Sequence, residues 1–369
     1  MEKILFGITS LTLGGAERVL VDLANELSKK YEVTIFTIYA NGELEKQLNN
    51  KIKVKNHKKC SYAELTALQK YLIPLKILFL QKSIYKKYIK ENYKAEIAFL
   101  EGPITRLFST TNKNTKKIAW VHNDISKVFG TGVKAKLKQK LDKMIYEKYD
   151  SLVFVSKDNL ASFDKIYDTN KNQTKQVIYN YINAENIIKK AEEKIEENWE
   201  DDKIHFVSVA RLVKQKGIER LIKVHKRLIQ EGLDHKFHII GTGVEKEKLE
   251  KLIKENRLEE SFELLGKREN PYPYIKKADY FCLFSEFEGY GMVIEEAKIL
   301  NKPILITDTA AREAVQNYEN SKISQNSENG IYTVLKEVIT SKENQKQKEN
   351  LKPYQNQEII CEIIKMLER

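Results

Sequence analysis

Two spacings of apolar residues alternate along the chain. Short continuous runs, such as Ile4-Leu5-Phe6-Gly7-Ile8, Val33-Thr34-Ile35-Phe36-Thr37-Ile38 and Ile118-Ala119-Trp120-Val121, have the length and composition of strands buried on both faces. Between runs, apolar residues recur at helical spacing. Val19, Leu20, Leu23, Ala24 and Leu27 share one face of a helix over residues 16–29. The alternation predicts strands over residues 3–9, 31–39, 95–100, 117–121, 151–156 and 176–181. It then predicts strands over 205–209, 237–240, 262–266, 280–284 and 303–307. Helices are expected at 134–149, 158–167, 218–230, 292–300 and 353–369. Residues 51–94 read as a basic, largely helical segment interrupted by Pro74. Strands joined by helices pair in parallel, so the pattern predicts doubly wound α/β sheets.

A chain of 369 residues is long enough for two cores, and the polar stretch 182–202 separates them. The expected domains are therefore 1–183 and 184–350, followed by a helix over 351–369. A hydrophobic content of 41% is that of a folded protein. Cys60, Cys282 and Cys361 are too widely spaced for a disulfide framework or a zinc site, which fits a reducing cytoplasm. No apolar run approaches the ~18 residues of a spanning helix. The start of the chain lacks a small-residue cleavage site and reads as a first strand rather than a signal peptide.

Charge changes this picture. The net charge is +12, but residues 1–183 hold 32 Lys and Arg against 18 Asp and Glu, a net +14. Residues 184–369 hold 32 against 34. The first half is therefore expected to meet something acidic, either nucleic acid or an anionic membrane. The lysines are densest in residues 51–94, where Leu72, Ile73, Leu75, Ile77, Leu78, Phe79 and Leu80 lie among them. An apolar patch rimmed by lysine suits an anionic bilayer, with Lys82, Lys86, Lys87 and Lys90 as contacts. The competing expectation is that these apolar residues are core and the lysines are solvated.

The candidate chemistry lies where strands meet turns. After the run Tyr280 to Phe284, Ser285 to Gly291 is a turn with two glycines, and Met292 opens a helix. Backbone N–H groups of Gly289, Tyr290, Gly291 and Met292 then face the turn and favour an anion. Glu288 in the turn and Glu296 in the helix can face one polyol, each accepting hydrogen bonds from hydroxyls. Arg211 and Lys216 follow another strand and suit a diphosphate, one as a fork and one as a point charge. In the first half, Gly14-Gly15 forms a turn before a helix, and Glu101 and His122-Asn123-Asp124 end two strands. Neither Gly14-Gly15 nor Gly241-Thr242-Gly243 is a full dinucleotide fingerprint.

Ser285, Glu288-Gly289-Tyr290-Gly291 and Glu296-Ala297 resemble the Glu-x7-Glu signature of retaining glycosyltransferases of the GT-B fold, family four. Tyr290 stands where Phe is commoner. Arg211-Leu212 with Lys216-Gly217, and Ile240-Gly241-Thr242-Gly243, match two further motifs in the expected order, Thr242 replacing Asp. The resemblance covers nearly the whole chain. It implies two Rossmann-like domains facing a central cleft, an acceptor-binding N-terminal domain and a nucleotide-sugar-binding C-terminal one. It places Gly14 and Gly15 beside the donor phosphate, Gly241 in the donor turn and Lys267 near the base. It gives His122 contact with the transferred sugar, Glu288 the sugar hydroxyls and Glu296 the ribose. The donor would be a UDP-sugar, and the acceptor a lipid-linked glycan of a capsule or other surface polysaccharide. No cofactor is implied, and no Asp-x-Asp is present for a metal. The expected place of work is the cytoplasmic membrane face, with no nucleic-acid partner. The rival expectations are a non-catalytic GT-B partner subunit, a sugar phosphorylase, and a basic nucleic-acid binder that would stack bases on Tyr85, Tyr88 and Tyr93.

Overall fold

The apolar runs pair side by side and all in parallel, as strands linked by helices must. The structure, a computed structural model, describes every residue except 13, 111–113, 124, 126–131, 168, 170–172, 342–355 and 369. For residues 71, 74, 133 and 134 it describes the backbone alone. The chain forms two units, residues 1–182 with 356–369, and residues 183–355.

The first unit runs β1 Lys3–Ile8, α1 Gly15–Leu27, β2 Glu32–Tyr39, β3 Lys53–Lys58, α2 Ala67–Tyr88, β4 Ala95–Ala98 and α3 Pro103–Phe108. It continues through β5 Lys116–Val121, α4 Val133–Tyr146, β6 Ser151–Phe154, α5 Lys157–Ile166 and β7 Thr174–Val177. The sheet order is β3-β2-β1-β4-β5-β6-β7. Its core joins sheet residues Phe36, Ala119 and Phe154 to Ile77 and Tyr85 of α2, Phe108 of α3, Tyr146 of α4 and Phe163 of α5.

The second unit runs α6 Ala184–Lys190, β8 Ile204–Val209, α7 Ile218–Gln230, β9 His235–Ile240, α8 Lys246–Glu255, β10 Phe262–Gly266 and α9 Tyr272–Lys277. It ends with β11 Tyr280–Leu283, α10 Met292–Ile299, β12 Ile304–Thr307, α11 Arg312–Val315, β13 Ser321–Ser324 and α12 Glu328–Thr340. Its order is β10-β9-β8-β11-β12-β13. The last helix, α13 Asn356–Glu368, belongs to the first unit and buries Ile359, Ile363, Met366 and Leu367. Lys116 Nζ donates to the Met366 carbonyl at 2.6 Å, and Lys30 pairs with Glu368 at 2.5 Å.

Residues 51–94 depart from the expected helical reading in two ways. Lys53–Lys58 is an edge strand on β2, and one neighbour is enough for a strand whose side chains are mostly half-buried. The helical backbone of α2 is broken at Leu80 (φ −110°, ψ 15°), not at Pro74. Ile73 and Ile77 are core, Leu72, Leu75 and Leu78 are half-buried, and Phe79 and Leu80 are exposed. The apolar patch expected over residues 72–80 is thus reduced at the surface mainly to its last two members.

Candidate active site

Each sheet has one place where successive strands leave in opposite directions. There the loops at the strands' carboxyl ends part and leave room for a ligand. In the second unit this switch point lies between β8 and β11, in the first between β1 and β4. The loop after β8 carries Arg211 and Lys216, and the loop after β11 carries Ser285 to Gly291. Arg211, Lys216 and the turn Ser285 to Gly291 therefore converge at the switch point of one sheet.

These two loops are bonded to each other. The Glu286 N–H donates to the Gln215 carbonyl at 2.8 Å, and Gln215 Nε2 donates to the Phe287 carbonyl at 2.9 Å. Arg220, one turn into α7, reaches back to the Phe284 carbonyl at 2.7 Å. Gly217 has φ +66°, and a Cβ there would lie 2.5 Å from that same carbonyl. Only glycine permits both the left-handed turn and the close approach. Gly241 is required for a similar reason: a Cβ would fall 1.9 Å from the Ala210 carbonyl. Gly241 therefore lets the loops after β8 and β9 pack backbone to backbone, with the Leu212 N–H donating to the Thr242 carbonyl at 3.0 Å.

At the centre of this arrangement Lys216 Nζ forms an ion pair with Glu288, and Ser285 Oγ donates to the same carboxylate oxygen, Glu288 Oε1, at 2.8 Å. Glu288 is buried. Its neighbour Ser285 is fixed in turn by Thr307 Oγ1, which donates to the Ser285 carbonyl at 2.6 Å. Glu296 is also buried and accepts from the Tyr272 hydroxyl at 3.3 Å. Glu295, between them in sequence, faces elsewhere and is held by Tyr290 (2.7 Å) and Lys298 (2.9 Å). Gly291 caps α10 at φ +77°, so the turn ends in the left-handed conformation that aims the helix N-terminus back at the loop. Arg211 is exposed, and its side chain makes no hydrogen bond or ion pair among the described residues. Lys267 is exposed beyond β10, at the outer edge of the sheet, with β9 and β8 between it and the Glu288 loop. The arrangement offers two cations and a helix N-terminus to an anion, and two buried carboxylates to hydroxyls.

In the first unit, Glu101 and His122 leave adjacent strands. The Glu101 carboxylate accepts the His122 N–H at 2.5 Å and the Asn123 N–H at 2.7 Å, and Asn123 Nδ2 donates to it at 2.9 Å. Asn159 of α5 holds the other side, donating to the His122 carbonyl at 3.1 Å. The His122 ring lies 4.8 Å from Phe99, centroid to centroid. Burial pushes its pKa down to about 3, so the imidazole is neutral at working pH. Its Nε2 is buried and unpartnered among the described residues. Burial likewise raises the Glu101 carboxyl. Gly14 caps α1 in an extended conformation, and Gly15 is its first residue. Glu17 of α1, raised by burial, places its carboxylate where a Gly14 Cβ would go. Asp124 lies outside the described residues.

Sequence reasoning missed Gln215, Arg220, Tyr272 and Asn159. Ser285 was visible only as part of the motif, and nothing in the spacing announced the others.

Residues 189–358 match the family model described as glycosyl transferases group 1. The chain is 30% identical over 360 residues to a Campylobacter jejuni protein, N-acetylgalactosamine-N,N'-diacetylbacillosaminyl-diphospho-undecaprenol 4-alpha-N-acetylgalactosaminyltransferase, covering 92% of this chain and 90% of that one. It is 25% identical over 310 residues to the Escherichia coli O-antigen biosynthesis glycosyltransferase WclY, covering 83% and 80%. Among solved structures, Anabaena Alr3699/HepE in complex with UDP and glucose superposes with a TM-score of 0.74 at 16% identity, over 100% of both chains. TarM superposes with a TM-score of 0.76 at 14% identity, over 100% of this chain and 98% of that one.

Proposed function

The chain belongs to the group 1 glycosyl transferases and has the GT-B fold, and from that premise we propose that it moves a sugar, with retention, from a UDP-sugar to a lipid-linked glycan of a surface polysaccharide. The observation that carries this reading is the Lys216–Glu288–Ser285 cluster beside the N-terminus of α10, at the switch point of the second sheet. Support for the acceptor class comes from the relatives, of which one is named for an undecaprenol diphosphate-linked substrate and another for O-antigen synthesis. Support for UDP comes from the complex of the HepE structure.

In this reading, Arg211, Lys216 and the α10 N-terminus receive the diphosphate and stabilise the charge that grows on it as the sugar leaves. Neither a metal nor another cofactor is needed for that. Glu296, oriented by Tyr272, takes the ribose hydroxyls, and Glu288 takes hydroxyls of the sugar. Lys267 borders the base, and Gly14 and Gly15 border the phosphate. His122 offers a neutral nitrogen to the sugar. The C1–O bond to the diphosphate breaks, a C1–O bond to the acceptor forms on the same face, and the acceptor's proton passes to the departing phosphate oxygen. The protein works as a peripheral protein at the cytoplasmic membrane face, where its positive first unit meets anionic lipid, and takes no part in nucleic-acid binding.

A thermal-shift panel of nucleotides and nucleotide sugars tests the donor. UDP at 100 times its dissociation constant stabilises by about 2.7 kcal/mol. Glu296→Ala should weaken UDP binding, whereas Glu288→Ala should spare it and depress transfer. Equal losses of UDP affinity in both variants would refute this division of roles, and an EDTA-sensitive transfer would refute the metal-free one.

A further inference from the structure

The crossovers β3-α2-β4, β4-α3-β5 and β5-α4-β6 all step the same way along the first sheet. Right-handed crossovers therefore put α2, α3 and α4 on one face of it. Short α3 packs against both α2 and α4. The outer surface of this helical layer is unusual in its composition. On α4, Ala135, Ile145 and Tyr146 turn into the core, while Leu137, Leu141 and Met144 are 62%, 50% and 52% exposed. Their spacing puts these three on one outward stripe. Exposed Lys136, Lys138 and Lys140 stand beside it. The one acid within α4, Asp142, is buried and accepts from the Tyr167 hydroxyl at 3.2 Å. On α2, which contains no acid at all, Phe79 is 78% and Leu80 52% exposed, next to exposed Lys76 and Lys82.

We propose that the outer stripe of α4, continued by Phe79 and Leu80 of α2, is the surface by which the protein sits on an anionic bilayer. The proposal rests on the reading that the acceptor is lipid-linked and names the residues that bring the first unit to it. It shifts the weight from the lysines at 82–90 to a helix that the sequence pattern predicts at 134–149 without giving it a role. An amphipathic helix lies in the plane of the headgroups, apolar side chains entering the acyl boundary and lysines reaching lipid phosphates. No helix among the described residues is long and apolar enough to cross a membrane. The charge decides between a bilayer and a second copy of the chain. Self-pairing of this face would set lysines against lysines, which costs energy, whereas anionic lipid attracts each of them.

The test is sedimentation of the full chain with vesicles of phosphatidylcholine alone or mixed with phosphatidylglycerol. The expected result is binding that requires phosphatidylglycerol, weakens with salt, and falls about tenfold or more in Leu137→Ser/Leu141→Ser/Met144→Ser. All three side chains are exposed, so the UDP-induced thermal shift of the triple variant should equal that of the parent. Unchanged vesicle binding by the triple variant, or equal binding to neutral vesicles, overturns the proposal. So does a parent that ignores vesicles, including one that forms a dimer which the triple variant dissolves. A parent that binds vesicles but shows no shift with any nucleotide would sink the donor reading and leave the membrane surface standing.

Discussion

At the scale of single residues, Lys216 and Glu288 are each other's counter-charge, so neither acts alone. Lys216→Ala leaves a buried carboxylate with only Ser285 to compensate it, while Glu288→Ala frees the ammonium for phosphate. Lys216→Ala and Arg211→Ala should each reduce transfer by roughly 2–4 kcal/mol in kcat/KM. Adding Glu288→Ala to Lys216→Ala should cost less than the two separate losses together, by roughly 0.5–3 kcal/mol. A double-mutant cycle on kcat/KM measures this, and strict additivity would show that the pair does not act as a unit. Arg211, Lys216, Glu288 and Glu296 were legible because each sits in or beside a glycine turn after an apolar run. Tyr272 and Asn159 were not legible. Their partners, Glu296 and the His122 carbonyl, lie 24 and 37 residues away in sequence and meet them only through the packing of separate elements.

At the scale of elements, strands buried on both faces announced themselves as continuous apolar runs, and β1, β2, β5, β8 and β11 fall close to where those runs predict them. The edge strand β3 did not, because lysines interleave its half-buried positions and the excess charge there masked a short alternation. Nor did four-residue α11, which is too short to show a period. The sequence pattern also did not announce a pair of buried histidines in the second unit, His225 of α7 and His235 of β9. His225 Nδ1 and His235 Nε2 are 2.8 Å apart, His235 Nδ1 faces the Leu233 carbonyl at 2.7 Å, and His225 Nε2 faces Ser261 Oγ at 2.8 Å. His235 donates to the carbonyl, His225 to His235, and Ser261 to His225, so the chain closes with both rings neutral. Burial accordingly depresses His225 to about 2 and His235 to about 4. Unfolded, both titrate near 6.5 and bind more protons than the folded state does below that pH. Their stabilising contribution is complete above about pH 6.5 and is lost as pH falls, down to about 4 for His235 and about 2 for His225, at up to about 1.4 kcal/mol per unit for each ring. Denaturation between pH 7.5 and 5 should show stability falling with acid, and the two C2–H resonances should not titrate above pH 5. Titration of either ring near 6.5 in the folded protein would remove this argument.

At the scale of the whole molecule, the chain enters the second unit after Ile182 and re-enters the first at Asn356. The second unit is one unbroken stretch, 183–355, whereas the first is completed by residues 356–369, which are synthesised after the whole of the second. Order of synthesis and order of completion are therefore reversed. The second unit can close on itself while the first still lacks α13 and leaves bare the apolar surface that Ile359, Ile363, Met366 and Leu367 cover. Residues 183–355 expressed alone should fold cooperatively. Residues 1–182 alone should expose apolar surface and aggregate, and a 356–369 peptide supplied in trans should rescue them, as read by circular dichroism and dye binding. Folding of 1–182 to full stability without the peptide would show that α13 merely decorates the unit. Otherwise a nascent chain is unguarded over its first half until α13 has left the ribosome, long after the second unit has been made.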